Sequence, residues 1–139
     1  MPLFSFKKDE ILRKKKLIDQ LFSEGHSFFI HPFKVLYLPF PLEQGYPVQI
    51  LISVSKRTFR HAADRNRIKR QVREVYRLNK SQFYSQLEEK NTSCIIAIIF
   101  TGKVHLETHF LDLKIKNVMK RLLSELGKNL NNPSLSLSD

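Results

Sequence analysis

The sequence has little cysteine, little glycine and no long apolar run. Cys94 is the only cysteine among the 139 residues, so neither an internal disulfide nor a cysteine-based zinc site can form. The longest unbroken apolar run, Cys94 to Phe100, is far shorter than the roughly 20 residues that cross a bilayer. With four glycines, the sequence contains no glycine-rich phosphate loop, and no nucleophile–base pattern is evident. No signal-type apolar segment follows the basic N-terminus, so we expect a cytoplasmic protein.

Acidic residues are few relative to basic ones. The chain has 13 Asp and Glu against 24 Lys and Arg, a formal net charge of +11. Nucleic acid fits this charge because neutralised phosphates release condensed counterions. An anionic membrane surface is negatively charged like nucleic acid, and it remains an alternative partner. The apolar fraction of 42%, with 11 Phe, is enough for one hydrophobic core, and the length fits one domain.

Hydrophobic periodicity predicts helices over 8–24, 58–80 and 110–126, and strands over 33–38, 48–54 and 94–100. The order is then α-β-β-α-β-α. The unbroken apolar character of 94–100 suggests a central strand that is buried on both faces. Leu113 and Val118 belong to the predicted apolar stripe of the last helix. From Gly127 onward the sequence is polar and aperiodic, so we predict one domain over 1–126 and a mobile tail over 127–139.

The segment from Lys56 to Lys80 contains ten basic and two acidic residues, most of the net charge of the chain. At 100° per residue one arc of this helix is apolar and should pack on the sheet; it contains Ile68, Val72, Val75 and Tyr76. A basic strip lies beside this arc and contains Asn66, Lys69, Arg70, Arg73 and Arg77. Like charges four residues apart repel by up to a few tenths of a kcal/mol, and a bound anion removes that cost. The strip is thus a candidate phosphate-binding surface, with a merely solvated helix face as the alternative.

Two motifs in this region resemble one family. Residues 65–74, RNRIKRQVRE, resemble the RNR motif of the bacterial ribonuclease P protein subunit. Upstream, residues 53–57, SVSKR, resemble the SVSKK segment that ends a strand before the RNR helix in that family. Leu21, Phe22 and Gly25, with the strand that contains Tyr37, look like the first helix and first strand of the family. The resemblance covers roughly residues 8–126.

The resemblance implies an α+β single domain with about four strands and three helices, in the order α-β-β-β-α-β-α, and a left-handed βαβ crossover. It implies an accessory protein that assists removal of the 5′ leader from precursor tRNA, while the RNA subunit performs Mg²⁺-dependent hydrolysis. The implied partners are the catalytic RNA and precursor tRNA, without a membrane. The protein would contribute no catalytic residue and would bind no metal or cofactor by itself.

Carried over to this sequence, the resemblance assigns RNA binding to the RNR helix through Arg65, Asn66, Arg67, Lys69, Arg70 and Arg73. Flanking basic residues that would also bind RNA are Lys56, Arg57, Arg60 and Arg77. A cleft for the single-stranded leader would be lined by Phe22, Tyr37, Ser53 and Ser55. For the two aromatic residues simple core packing is the alternative. A generic RNA-binding or ribosome-associated module remains the alternative for the whole chain.

Overall fold

The computed structural model of the chain describes residues 7–42 and 45–130. Within these ranges the chain forms a short 3-10 turn, Lys8–Glu10, and seven regular elements. The helices are α1 (Lys15–Glu24), α2 (Ala62–Glu89) and α3 (Thr108–Leu130). The strands are β1 (His26–Ile30), β2 (Phe33–Pro39), β3 (Val48–Val54) and β4 (Cys94–Phe100). None of the helices in these ranges has both the length and the apolar character that a bilayer crossing requires.

The four strands form one mixed sheet in the order β1-β2-β4-β3. The strands β1, β2 and β4 pair antiparallel, whereas β3 pairs parallel to β4. Helices α2 and α3 cover one face of this sheet, and α1 covers the other. Because β4 lies between two strands and beneath helices on both faces, its apolar run is almost wholly buried. The prediction of a central strand over 94–100 is confirmed.

The parallel strands β3 and β4 are joined across the sheet by α2. Such crossovers are right-handed in nearly all proteins. Here the side chain of Ile50 lies in the core beneath α2, and its carbonyl accepts a hydrogen bond from the Leu12 amide, on the side away from β4. For an L-residue this places β4 to the left of β3 when the sheet is viewed from α2 with both strands running upward. The crossover is therefore left-handed.

The N-terminal segment follows the free edge of β3 before α1 begins. Ile11 forms a parallel bridge with Ile50, and the Leu12 amide donates to the Ile50 carbonyl at 2.9 Å. The helix predicted from residue 8 therefore starts only at Lys15, because the preceding backbone pairs with a strand. At the other end of α1, a Cβ on Gly25 would lie 3.1 Å from the Tyr37 carbonyl, so glycine allows the helix to end against β2.

Other predicted boundaries also shift. The second helix begins at Ala62 rather than residue 58 and extends nine residues beyond residue 80, to Glu89. The third helix continues to Leu130, across the predicted boundary between domain and tail; residues 131–139 of that tail lie outside the described residues. Leu113 was assigned to the apolar stripe of this helix, and that assignment is wrong, because the residue is 51% exposed. Strand β1 is absent from the order predicted by periodicity but present in the order that the resemblance implied.

Candidate RNA-binding surface

The N-terminal half of α2 is attached to the sheet by its apolar side. Ile68, Val72, Val75 and Tyr76 are each at most 1% exposed and belong to the main core. This is the arc that the helical wheel predicts. Because the arc is fixed by packing, the rotation of α2 is fixed, and with it the direction of every polar side chain on the helix.

The opposite side of this half-helix is cationic. Asn66, Arg67, Arg70 and Arg73 are exposed, and Lys69 is partly buried beside them. The positive end of the helix dipole lies at the same end of α2 and adds to their field. Together these five side chains form a surface, here called the α2 strip, that offers guanidinium forks and an amide to phosphate oxygens.

Arg65 has a different environment from the rest of its motif. Its Nη1 donates to the Phe59 carbonyl at 2.7 Å and to the Arg60 carbonyl at 2.8 Å. Phe59 itself packs beside Phe100, with ring centroids 6.2 Å apart, and beside His105 at 5.2 Å. Arg65 thus holds the turn that leads from β3 into α2, and it sets the approach to the α2 strip.

Lys56, Arg57 and Arg60 are exposed on this turn, beside the start of α2. The Ser55 hydroxyl accepts a hydrogen bond from the Arg57 amide at 3.3 Å and so helps to shape it. Arg77, further along α2, donates from Nε and Nη2 to the carboxylate of Glu74. That hydrogen-bonded partner lowers the pKa of Glu74 and raises the pKa of Arg77. The charge of Arg77 is therefore partly offset within the helix.

One of the ten basic residues counted in this segment is not on the surface at all. Lys80 is 3% exposed and donates to the carboxylate of Glu10, which is fully buried. The Tyr84 hydroxyl donates to the same carboxylate at 2.8 Å and lies 2.9 Å from the Tyr76 hydroxyl. This buried pair, Glu10 with Lys80, ties the N-terminal segment to the middle of α2. Sequence reasoning missed it, because no local spacing connects residues 70 positions apart.

The four residues assigned to the leader cleft do not all lie on one face of the sheet. Phe22 is 50% exposed on α1. Ser53 is paired with Ile99, which packs against the cluster beneath α1, so Ser53 lies on the α1 face. Tyr37 is buried on the other face, where it packs beside Phe28 with ring centroids 6.0 Å apart. Burial is the main cause that raises the pKa of its hydroxyl.

Of the two aromatic residues assigned to the cleft, Phe22 is therefore the one that is exposed on α1, whereas Tyr37 has the core environment that was its alternative. Ser55 follows β3 directly, and its amide donates to the Phe100 carbonyl at 3.1 Å. It extends the pairing of β3 with β4 by one residue toward the turn that carries Lys56. The structure thus brings Phe22 and Ser53 to one face and places Ser55 at the end of the strand beside them.

Acidic and histidine side chains do not gather into a metal-binding group in the described ranges. Within residues 7–42 and 45–130 no three His, Cys, Asp or Glu side chains are arranged to hold an ion. His105 lies 3.9 Å from Asp64 at the start of α2, where it also packs on Phe59. This histidine has a structural environment within the turn that precedes the α2 strip.

The chain is similar to known proteins over most of its length. The family model described as Ribonuclease P matches residues 6–123. A ribonuclease P protein component of Porphyromonas gingivalis is 38% identical over 98 residues, which cover 70% of this chain and 72% of the relative. That of Dictyoglomus thermophilum is 38% identical over 127 residues, which cover 91% of this chain and 96% of the relative.

Solved structures agree with the sequence relatives. The RNase P protein from Thermotoga maritima has a TM-score of 0.64 and 26% identity, and the match covers 81% of this chain and 96% of that one. The Staphylococcus aureus RNase P protein has a TM-score of 0.63 at 23% identity, over 81% and 94% of the two chains, which shows the shared fold. The fold, the cationic helix and the relatives lead to one conclusion: the chain belongs to the bacterial ribonuclease P protein family.

Proposed function

We propose that this chain is the accessory protein of a ribonuclease P ribonucleoprotein. It binds the catalytic RNA through the α2 strip and the basic turn before it, and it binds the 5′ leader of precursor tRNA on the α1 face of the sheet. The observation that carries the proposal is the one-sided cationic surface of α2, on a helix whose opposite side is locked into the core. The site of action would be the cytoplasm.

The α2 strip suits a folded RNA better than a single base. Guanidinium groups of Arg67, Arg70 and Arg73 present planar donor forks that match phosphate oxygens, whereas Asn66 adds a donor and an acceptor. Each phosphate that is neutralised releases counterions, so affinity arises without sequence-specific contacts. Because α2 is rigidly packed, these groups keep their spacing before the RNA arrives, which lowers the entropic cost of binding.

The α1 face offers different chemistry, suited to an unpaired strand. Phe22 presents half of its ring to solvent, and unpaired bases stack on such rings. Ser53 supplies a hydroxyl on the same face, able to donate to or accept from a nucleotide. Precursor tRNA differs from mature tRNA in carrying an unpaired leader, so this face would distinguish substrate from product.

The chemical step is assigned to the RNA subunit. The described residues do not fit a Mg²⁺ site, because they include no cluster of carboxylates that would hold the ion. By the family resemblance, Mg²⁺ would be bound by RNA in the holoenzyme, and the contribution of this protein would be to bind and orient the substrate.

The test is cleavage of a precursor tRNA with a 5′ leader at low Mg²⁺, using a bacterial ribonuclease P RNA with and without this protein, and the protein alone. We expect stimulation only in the combined reaction. Equal binding of leader-bearing tRNA and of unrelated duplexes, with no stimulation of cleavage, would instead indicate a generic RNA-binding module.

A pair of variants tests the assignment of the α2 strip. The double variant Arg67→Ala with Arg70→Ala should lose most of the stimulation, because two phosphate contacts disappear while the buried arc stays intact. The matched control is Lys90→Ala. Lys90 is an exposed cation at the C-terminal end of α2, about 30 Å from Arg70 along the helix axis. Equal activity of the two variants would contradict the assignment.

A further inference from the structure

An exposed aromatic side chain lies on the edge strand of the sheet. Phe29 of β1 has 58% of its surface exposed, although edge strands generally avoid exposed apolar side chains. It lines a cavity of about 360 Å³, together with Val104, which is 63% exposed. Two of the most exposed large apolar side chains in the described residues thus meet at one site. Such a site is typical of a surface that binds a partner.

The floor and rim of this cavity come from the β1–β2 turn and the segment after β4. The remaining lining residues are His31, Thr101, Gly102, Lys103 and Leu106. A Cβ on Gly102 would lie 2.7 Å from the Phe100 ring, so the backbone there rests directly on the core. Thr101 donates from its amide and its hydroxyl to the Pro32 carbonyl, at 2.8 and 3.1 Å. The cavity is therefore preformed by packed backbone.

Phe29 lies on the same face of the sheet as the proposed leader site. Phe28 points into the core beneath α2 and α3, so Phe29, the next residue in the strand, points to the α1 face. The strand register places Phe29 opposite Lys34, Lys34 opposite Ile99, and Ile99 opposite Ser53. This cross-strand row spans three strand spacings, about 14 Å, from Ser53 to Phe29.

The chemistry of the row and cavity matches an unpaired nucleotide. The Phe29 ring offers a face for a base, with the His31 ring 6.3 Å away. Lys34 in the row and Lys103 at the cavity are exposed cations for the phosphates. Neither the row nor the cavity lining contains an aspartate or glutamate. Pockets of this size are large enough for a small ligand such as a nucleobase.

We propose that Phe29 stacks on an unpaired nucleotide of the 5′ leader, with Lys34 and Lys103 at the adjacent phosphates. The inference rests on the proposed function, because it extends the leader path from Ser53 along the row to the edge of the sheet. The leader is favoured over the catalytic RNA because the α2 strip belongs to the helix that covers the other face. A base-paired helix would not present a base face to the ring.

The experiment measures the affinity of the reconstituted holoenzyme for precursor tRNAs whose leaders are shortened stepwise from ten nucleotides to none. The variants are Phe29→Ala and Phe29→Trp, with Leu113→Ala as control, an apolar residue of similar exposure on α3. Loss of one base–aromatic stack should weaken the binding of long leaders by about tenfold in Phe29→Ala. Phe29→Trp and Leu113→Ala should bind like the wild type. The tenfold difference should vanish below a defined leader length.

Other outcomes separate the two proposals. If the wild type responds to leader length and Phe29→Ala responds identically, the inference about Phe29 is overturned and the proposed function stands. If Phe29→Ala weakens binding equally with and without a leader, or weakens assembly with the catalytic RNA, the nucleotide belongs to another RNA segment and the leader assignment is wrong. A wild-type holoenzyme that is indifferent to leader length would overturn both.

Discussion

Replacement of Lys80 by methionine should destabilise the protein strongly, although it removes one of 24 basic side chains from a chain with excess positive charge. Lys80 is buried, and its ammonium group contacts the buried carboxylate of Glu10. Methionine fills a similar volume but leaves that carboxylate without its cation. Loss of one member of a buried ion pair costs about 3–5 kcal/mol. At roughly 4 °C per kcal/mol for a chain of this size, the melting temperature should fall by about 10–20 °C.

The double variant Glu10→Gln with Lys80→Met distinguishes the ion pair from general packing. Glutamine keeps a carbonyl oxygen that can accept from the Tyr84 hydroxyl, as the carboxylate does at 2.8 Å. With no charge left buried, the double variant should lose much less stability than the sum of the two single variants. The assay is urea unfolding followed by circular dichroism, with a constant m-value as the check for comparable unfolding. A loss below about 1 kcal/mol in Lys80→Met, or additivity within about 0.5 kcal/mol, would refute the reasoning.

Three further predictions follow from the α2 strip, the central strand and the glycines. Arg73→Ala should reduce the slope of log RNA affinity against log salt concentration by about one, whereas Lys90→Ala should leave this slope unchanged. Binding titrations at several salt concentrations measure it. Burial raises the pKa of Cys94 to about 12, above its ordinary value near 9, so the contribution of this thiol to stability should be constant below about pH 9 and should be lost between pH 9 and 12. Thiol labelling of native Cys94 should be slow at pH 8, with a rate limited by global unfolding of the protein. Rapid labelling would contradict the burial of this residue. Gly102→Ala should lower the free energy of unfolding by about 1–3 kcal/mol, because the added Cβ would contact the Phe100 ring. A Cβ added at Gly45 would have no atom within 4 Å, so Gly45→Ala should change stability by less than about 1 kcal/mol. Thermal unfolding measures both variants.

Local periodicity predicts the parts of the fold in which a segment interacts as a regular amphipathic unit. The arc of Ile68, Val72, Val75 and Tyr76 is such a unit, and each member is buried as predicted. The uninterrupted apolar run of β4 identifies a central strand for the same reason. Helix starts are predicted less well, because they depend on partners elsewhere in the chain. Residues 11 and 12 are extended because they pair with Ile50, which no local signal reveals.

The surface of the candidate site is predictable in charge but not in the partners of each charge. Arg70 and Arg73 are exposed, as the predicted basic strip requires. Arg65 is instead engaged with two backbone carbonyls, and Lys80 is buried with a residue from the other end of the chain. The assignment of Tyr37 to the leader cleft stays a prediction, but strand alternation turns this residue toward the core face, away from Ser53.

The strand order also determines when the domain becomes able to fold. β2 and β3 follow one another in the chain but do not touch in the sheet, because β4 lies between them. A ribosome-bound chain that ends before Cys94 therefore has a hairpin and a separate strand, with no surface on which either can complete a core. Synthesis at about 5–20 residues per second leaves the edges of β2 and β3 that will pair with β4 open for several seconds. The sheet is complete only when β4, the last strand to be synthesised, inserts between β2 and β3. The whole domain must therefore fold in a single late step.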